Sequence, residues 1–165
     1  MNSDKIKLVL PHAKYRAQVQ DMVQKIRDAG SRLHGTSFLN RDFDAWLADY
    51  KINKHERVEY LVFRQSDKKL IGLLQIRNTP YSPLSNYMAG HVGYSVCIDE
   101  RGKGYATRML KMGLELCKTL GIDPVIIKCK AENLASIKVV LKNNGKLNHE
   151  ETHDGESIKF FHIKV

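Results

Sequence analysis

The stretch of sequence that decides the fold runs from residue 90 to residue 106 and reads GHVGYSVCIDERGKGYA. Its first part is rich in β-branched and aromatic side chains and predicts a strand over 90–99. Two glycines follow within ERGKGYA, and the residues after them carry apolar side chains at helical spacing as far as about residue 120. The chain is therefore expected to turn from a strand into a helix at residues 101–106, which we call the glycine turn.

The glycine turn has the composition of a pyrophosphate-binding site. The N-terminus of a helix presents unpaired N–H groups and the positive end of the helix dipole, and glycine lets the backbone approach a ligand closely. The candidate binding residues are Arg101, Gly102, Lys103, Gly104, Tyr105 and Ala106, with Arg108 adding positive charge. The alternative interpretation is a strand-to-helix turn that binds no ligand.

Two other phosphate-binding motifs do not fit the sequence. A P-loop needs a spaced glycine before its Gly-Lys pair and a hydroxyl residue after it, and neither Gly102-Lys103 nor Gly145-Lys146 has both. A dinucleotide fingerprint needs a third glycine where this chain has Thr107. The pattern therefore argues against a P-loop nucleotidase and against NAD binding.

The remaining elements follow from hydrophobic spacing. Outward from the glycine turn the sequence predicts a helix from Pro11 to about Gly30, a second helix capped by Asn40, strands at 58–65 and 70–78, a loop at 79–89, a strand at 124–131, a helix from Asn133 to about Asn144, and two strands around residues 153–155. The long loop is a candidate substrate lid. This order predicts a mixed α/β fold.

Composition limits the classes of protein. The 165 residues, 42% apolar and 27% charged, are typical of a single globular domain, here 1–165. No apolar run reaches the roughly 18 residues that a membrane helix needs, and the N-terminus lacks the apolar segment of a signal peptide, so we expect a cytoplasmic protein without a membrane partner. The net charge of +9 is spread along the chain without a basic block, which disfavours a nucleic-acid partner.

The cysteines predict neither a disulfide framework nor a metal site. Cys97, Cys117 and Cys129 are odd in number, widely spaced and contain no CxxC pair. We expect buried free thiols and no bound metal.

At this point the residues resemble a known family. The glycine turn is similar to the acetyl-CoA signature R/Q-x-x-G-x-G/A of the GNAT superfamily of N-acetyltransferases, which follows the fourth strand of that fold. GHVGY at 90–94 and NLAS at 133–136 resemble a bacterial subgroup of predicted acetyltransferases with G-H-I-G-Y before the signature and N-x-A-S after the fifth strand. The likeness covers residues 58–165 well and the N-terminal third more loosely.

The resemblance implies a fold, a reaction and a set of binding residues. The fold is a mixed, mostly antiparallel sheet flanked by helices, with a strand-helix-strand-helix core that binds the cofactor. The reaction is transfer of an acetyl group from acetyl-CoA to a primary amine of a small molecule or peptide, by direct attack in a ternary complex. The backbone of Val96, Cys97 and Ile98 would bind the pantetheine arm, the glycine turn the pyrophosphate, and Asn133 and Ser136 a further part of the cofactor. For Asn133 the alternative is a plain helix cap.

One departure from the family concerns the proton that the leaving thiolate needs. Many members carry a tyrosine seven residues after the asparagine, where this chain has Val140. His91 and Tyr94 are the candidate acid and base residues, with Glu100 behind them. Cys97 is not expected to form an acyl-enzyme, because alternation along the strand points it away from Val96 and Ile98.

Two other functions stay open on the sequence alone. A domain that senses acyl-CoA or binds a protein would keep the glycine turn and tolerate Val140. A basic nucleic-acid-binding module is the third hypothesis. The sequence does not identify the amine acceptor, and it allows a homodimer without indicating one.

Overall fold

The computed structural model describes residues 4–33, 42–82 and 85–165. Its helices are α1 (Arg16–Asp28), α2 (Phe43–Asn53), α3 (Tyr105–Thr119) and α4 (Leu134–Lys142). Its strands are β1 (Ile6–Val9), β2 (Arg57–Arg64), β3 (Leu70–Arg77), β4 (Tyr81–Ser82), β5 (Ser85–Met88), β6 (Val92–Val96), β7 (Val125–Lys130), β8 (Lys146–His153) and β9 (Glu156–Ile163).

The strands form two main sheets and a short hairpin. The first sheet has the order β1-β2-β3-β6, the second has the order β7-β9-β8, and β4 pairs with β5. Neighbouring strands within each sheet run antiparallel. The mixed α/β fold with antiparallel sheets and flanking helices that the sequence predicted is confirmed.

The two sheets meet at one point beside β6. His91 donates its backbone N–H to the carbonyl of Ile126 at 2.8 Å, and its Nδ1 accepts the N–H of Ile126 at 2.9 Å. Among the described strands, β6 and β7 share no ladder beyond this contact. The sheets therefore separate toward the glycine turn and leave a cleft between β6 and β7.

Helices cover the sheets from both sides. One core packs α3 and α4 against both sheets, and its fully buried members include Ile71, Leu74, Met109, Leu110 and Val125. The other packs α1 and α2 on the opposite face of the first sheet around Ile26, Phe43, Trp46 and Leu61. Gly113 lets α3 lie close to the sheet, because an added Cβ would come within 3.2 Å of the Val92 side chain. This packing fixes the start of α3 beside the end of β6.

Some elements differ from the sequence prediction. Strand β1 was not predicted, and 79–89, predicted to be a loop, contains the β4–β5 hairpin. The strand predicted over 90–99 ends at Val96, and a 3-10 turn begins two residues later, at Ile98. Asn40 lies outside the described residues, and α2 is capped by Asp42, whose carboxylate accepts the N–H of Ala45 at 2.8 Å.

Three further observations concern the thiols, metal binding and membrane-spanning helices. Cys97, Cys117 and Cys129 are buried and unpaired, as predicted. Within residues 4–33, 42–82 and 85–165 there is no group of His, Cys, Asp and Glu side chains that could hold a metal. In the same part of the chain, each helix is too short or too polar to cross a membrane.

Candidate functional site

A cleft of about 610 Å³ separates β6 from β7. Its floor is the exposed edge of β6, and α3 and α4 border it on one side. Of the residues predicted to bind the cofactor, this cleft brings together Val96, Arg101, Gly102, Tyr105, Ala106, Asn133 and Ser136. Tyr94 lies among them, whereas Cys97, Ile98, Lys103, Gly104 and His91 do not line it.

The glycine turn opens one end of this cleft. Gly102 and Gly104 have φ angles of +76° and +79°, which L side chains rarely adopt, and Gly104 is the N-cap of α3. A Cβ added at either glycine would meet no protein atom within 4 Å, so the space beside both is open. No side chain caps this helix end. Its first N–H groups therefore lack an intrahelical partner and can bind an anion.

A buried carboxylate supports the glycine turn from below. Glu100 is 2% exposed and accepts hydrogen bonds from Lys69 at 2.7 Å, Arg64 at 2.9 Å and Lys103 at 3.0 Å. Burial opposes ionisation, but the hydrogen bonds from these cations outweigh it and hold the pKa of Glu100 below its usual value. Glu100 is therefore a fixed anion that anchors the turn. A fixed anion does not fit the role of auxiliary base that was predicted for Glu100. Its hydrogen bond with Lys103 also directs the Lys103 ammonium toward the protein.

Arg101 ties the end of β6 to the segment after α1. Its Nε donates to the carbonyl of Val96 at 3.2 Å, and its Nη1 donates to Oγ of Ser31 at 3.1 Å. Arg101 thus lines the cleft as an exposed residue, with two of its guanidinium nitrogens bonded to the protein.

The backbone of β6 offers only alternate residues to the cleft. The N–H of Cys97 is donated to the carbonyl of Ile71 at 2.8 Å, and the carbonyl of His91 accepts the N–H of Arg77 at 2.8 Å. The odd-numbered residues of β6 therefore direct their backbone N–H and C=O groups toward β3. Tyr94 and Val96 direct theirs toward the cleft. The prediction that the backbone N–H of Cys97 binds the pantetheine arm is wrong, because this N–H is already bonded within the sheet.

A chain of three side chains crosses the cleft from β6 to β7. Tyr94 Oη lies 2.9 Å from Ser136 Oγ, which lies 3.3 Å from Cys129 Sγ. The backbone N–H of Ser136 is in turn held by Asn133 Oδ1 at 3.1 Å, so Asn133 caps α4. Burial raises the pKa of Tyr94 well above its usual value, although the hydrogen bond with Ser136 acts in the opposite direction. Tyr94 is therefore a protonated hydroxyl inside the cleft.

Comparison with known proteins agrees with this geometry. The family described as "Acetyltransferase (GNAT) domain" matches residues 12–146. The chain belongs to the GNAT acetyltransferase family. No curated protein sequence matches the chain significantly.

Solved structures of other GNAT acetyltransferases share the fold at low sequence identity. The ribosomal L7/L12 α-N-protein acetyltransferase RimL, in complex with CoA, has a TM-score of 0.74 and 15% identity, covering 99% of this chain and 96% of that one. The ribosomal-protein-S5-alanine acetyltransferase of Vibrio fischeri has a TM-score of 0.73 and 17% identity over 96% and 91%. The microcin C7 self-immunity acetyltransferase MccE, in complex with acetyl-CoA and AMP, has a TM-score of 0.71 and 16% identity over 100% and 98%.

His91 does not fit the base that the GNAT resemblance suggested. Its Nδ1 lone pair accepts the N–H of Ile126, so in the neutral ring Nε2 carries the hydrogen. Burial, together with the charge of Arg77 and the neighbouring His162, lowers the pKa of His91. The Nδ1 lone pair, where a proton would be taken up, is occupied by the Ile126 N–H, and the lowered pKa disfavours the imidazolium, so the contacts of His91 are those of a residue that joins the two sheets.

Val140 leaves no room for the tyrosine found in many GNAT proteins. Its side chain is fully buried, and a Cβ on Gly145 would lie 2.3 Å from Val140 Cγ1. Helix α4 is therefore packed tightly at this position. The only hydroxyl pair that the described residues place in the cleft beside α4 is Tyr94 with Ser136.

Sequence reasoning missed several residues of the cleft. Arg77, Lys128, Cys129 and Lys130 line it, yet none belongs to a motif that we considered. The signal for the residues of β7 was the alternation in VIIKCK, where buried positions alternate with half-buried ones. One face of the strand is therefore buried and apolar, and the other carries Ile126, Lys128 and Lys130.

Proposed function

We propose that this chain is an acetyl-CoA-dependent N-acetyltransferase that transfers an acetyl group to a primary amine by direct attack in a ternary complex. The observation that carries this proposal is the cleft between β6 and β7, with the glycine turn and the uncapped start of α3 at one end. The membership in the GNAT family supports it. The bacterial subgroup with G-H-I-G-Y and N-x-A-S motifs remains part of the proposal.

The residues of the cleft fit a CoA derivative. The open space beside Gly102 and Gly104 suits a pyrophosphate held by the N–H groups at the start of α3. The backbone of Val96 would hold the pantetheine arm, and Lys138 and Lys142 on α4 add positive charge to the same cleft. When bound, acetyl-CoA supplies an activated acetyl group. Asn133 and Ser136 would border its pantetheine side.

Tyr94 is the group best placed to supply a proton in this cleft. A tyrosine phenol is protonated at neutral pH, so Tyr94 has a proton to give, and the hydrogen bond with Ser136 Oγ at 2.9 Å orients it. We therefore assign Tyr94 the role of general acid and Ser136 the role of hydrogen-bond partner. His91 becomes a residue that positions β7 against β6. The proton that the ammonium of the acceptor must lose would go to solvent.

Calorimetric titration with acetyl-CoA, followed by a thiol-release assay over a panel of amines, tests this function. Binding together with release of CoA that depends on an amine is the expected result. Binding without turnover on any acceptor would favour the acyl-CoA-sensing domain instead. If acetyl-CoA does not bind, both interpretations of the cleft fail.

A further inference from the structure

The basic side chains of the cleft lie on two different faces. Ile127 and Cys129 on β7 are buried in the core with α3 and α4, so Lys128 and Lys130 point to the opposite face. The same alternation on β3, where Ile76 belongs to that core, places Arg77 on the opposite face as well. We call Arg77, Lys128 and Lys130 the basic wall.

The basic wall is separate from the region assigned to the cofactor. Lys138 and Lys142 belong to α4, which packs against the core on the α3 side. Tyr94 also contacts that side through Ser136. A CoA derivative held by the glycine turn would therefore be neutralised by the residues of α3 and α4. The basic wall lies on the other face, where we take the acceptor to enter.

One acidic side chain near the basic wall offsets part of its charge. Lys130 pairs with Glu156, whose carboxyl has a lowered pKa because of this hydrogen bond. Glu100, the one acid that lines the cleft within the described residues, is already bound by Lys69, Lys103 and Arg64. With Lys130 paired to Glu156, Arg77 and Lys128 leave the wall with a net positive charge at the cleft.

Arg77 is positioned by the backbone and largely enclosed. It donates through Nη1 to the carbonyl of Gly90 at 3.2 Å. Burial lowers the pKa of Arg77 to about 10. The charge of Glu59 raises this pKa, and the charge of Arg57 lowers it. At neutral pH it is therefore still a cation. An enclosed cation interacts more strongly with a bound anion than an exposed one, because the solvent screens it less.

Lys128 is influenced by the charges of the other two residues of the basic wall. Its pKa is lowered by burial first, and then by the charges of Lys130 and Arg77, while Glu151 and Glu156 oppose this from β8 and β9. Opposite it on β9 lies the apolar Phe160. Lys128 is thus a half-buried cation beside two other cations of the wall, where a bound anion would offset their mutual repulsion.

We propose that the acceptor is a primary amine that carries an anionic group, a carboxylate or a phosphate, and that Arg77, Lys128 and Lys130 bind this group. The inference rests on the proposed function, since it assumes that an amine enters the cleft from this face. The same charges disfavour the ammonium form of the acceptor and so increase the fraction of neutral, nucleophilic amine. Polycationic amines are poor acceptors here, because each of their charges is repelled by the wall.

Matched acceptors test this proposal. We would compare kcat/KM for the peptides Ala-Asp-Asp-Ala-Trp and Ala-Lys-Lys-Ala-Trp, which offer the same N-terminal amine, and for phosphoethanolamine and spermidine. We expect at least a tenfold preference for the acidic peptide, which corresponds to about 1.4 kcal/mol. Preference for phosphoethanolamine over both peptides would assign the anion to a phosphate. Equal rates for the two peptides, or a preference for the basic peptide or spermidine, would overturn the inference.

Variants connect the preference to the basic wall. Lys128→Gln is expected to reduce the ratio of acidic to basic peptide about fivefold, and Lys128→Arg, which keeps the charge, is expected to restore it. Lys118→Gln removes the same charge from an exposed position at the far end of α3 and serves as the matched control. An unchanged ratio in a folded Lys128→Gln protein would contradict the assignment.

Binding measurements separate this proposal from the proposed function. Titration of both peptides into the protein without acetyl-CoA requires no catalysis, so it decides the inference even for a protein that does not turn over. Tighter binding of the acidic peptide, weakened by Lys128→Gln and by added salt, supports the basic wall. Equal affinities contradict it, whether or not acetyl-CoA binds at the glycine turn.

Discussion

The glycine turn and the chain from Tyr94 to Cys129 are both parts of one cleft, but the sequence encodes them in different ways. The glycine turn is six consecutive residues whose backbone would form the proposed binding surface, so its chemistry is visible in the order of residue types. The second region joins β6, α4 and β7, and Tyr94 lies 42 positions from its partner Ser136. Local backbone sites can be read from a sequence, whereas side-chain sites depend on which strands the fold brings together.

The largest expected effect concerns Tyr94, in the region assembled by the fold. Tyr94→Phe removes only the hydroxyl and keeps the ring, so kcat on a competent acceptor should fall about 100-fold, as for the loss of a general acid. The KM for acetyl-CoA should change little. Steady-state kinetics measure both parameters.

A control separates acid catalysis from packing in the same region. Ser136→Ala removes the partner of the phenol but leaves Tyr94 itself, so we expect a smaller loss of kcat than in Tyr94→Phe. If Tyr94→Phe retains full activity, Tyr94 is structural and the leaving thiolate takes its proton from solvent.

The next effect tests the local region. Gly104→Val should weaken acetyl-CoA binding at least about tenfold, because a φ of +79° is strained for valine and the branched side chain would occupy the open space beside the turn. Isothermal titration gives the dissociation constant.

Gly121→Val is the matched control for this variant. Gly121 follows the other end of α3, has a φ of +72°, and has equally open surroundings. Gly121→Val should lower the free energy of unfolding by a similar amount without weakening the binding of acetyl-CoA. If the two variants bind acetyl-CoA equally well, the glycine turn does not hold the pyrophosphate.

The comparison also shows what could be predicted from the sequence. The glycine turn, α3, α4 and most strands follow from local spacing and are confirmed by the structure. The role of His91 was not predictable, because its Nδ1 is bound by the backbone of Ile126, 35 positions away. The amide of Cys97 could have been excluded only with the register of β3 against β6 in hand. Strand β1 is apolar at three of its four positions, but it is too short for an alternating pattern to identify it.

A third prediction concerns Glu100, which links the glycine turn to β2 and β3. Its pKa is lowered in the folded protein, so its contribution to stability is present above the usual carboxyl pKa and is lost as the pH falls through the folded value. Glu100→Gln should lower the free energy of unfolding at pH 7 by about 1–3 kcal/mol, since the part-buried hydrogen bonds from Arg64, Lys69 and Lys103 lose their charged acceptor. Urea denaturation at pH 7 and pH 4 measures this difference, which should shrink at the lower pH.

The smallest expected effect distinguishes the two thiols nearest the site. Cys97 lies on the α1 side of the sheet, its Sγ donates to the carbonyl of Leu70 at 3.2 Å, and burial raises its pKa to about 12. Cys129 lines the cleft, but burial raises the pKa of its thiol as well. Neither thiol is activated as a nucleophile, because a thiolate is needed for attack.

We therefore expect no acetylated cysteine by mass spectrometry after mixing the protein with acetyl-CoA alone. Cys97→Ser should change kcat less than about twofold, because direct attack by a positioned amine needs no covalent stage. Acetylation at Cys97, together with loss of turnover in Cys97→Ser, would require an acyl-enzyme on the face opposite the cleft. Acetylation at Cys129 alone would keep the cleft assignment and replace direct attack with a two-step transfer, since Cys129 is the thiol that the fold brings beside Ser136 and Tyr94.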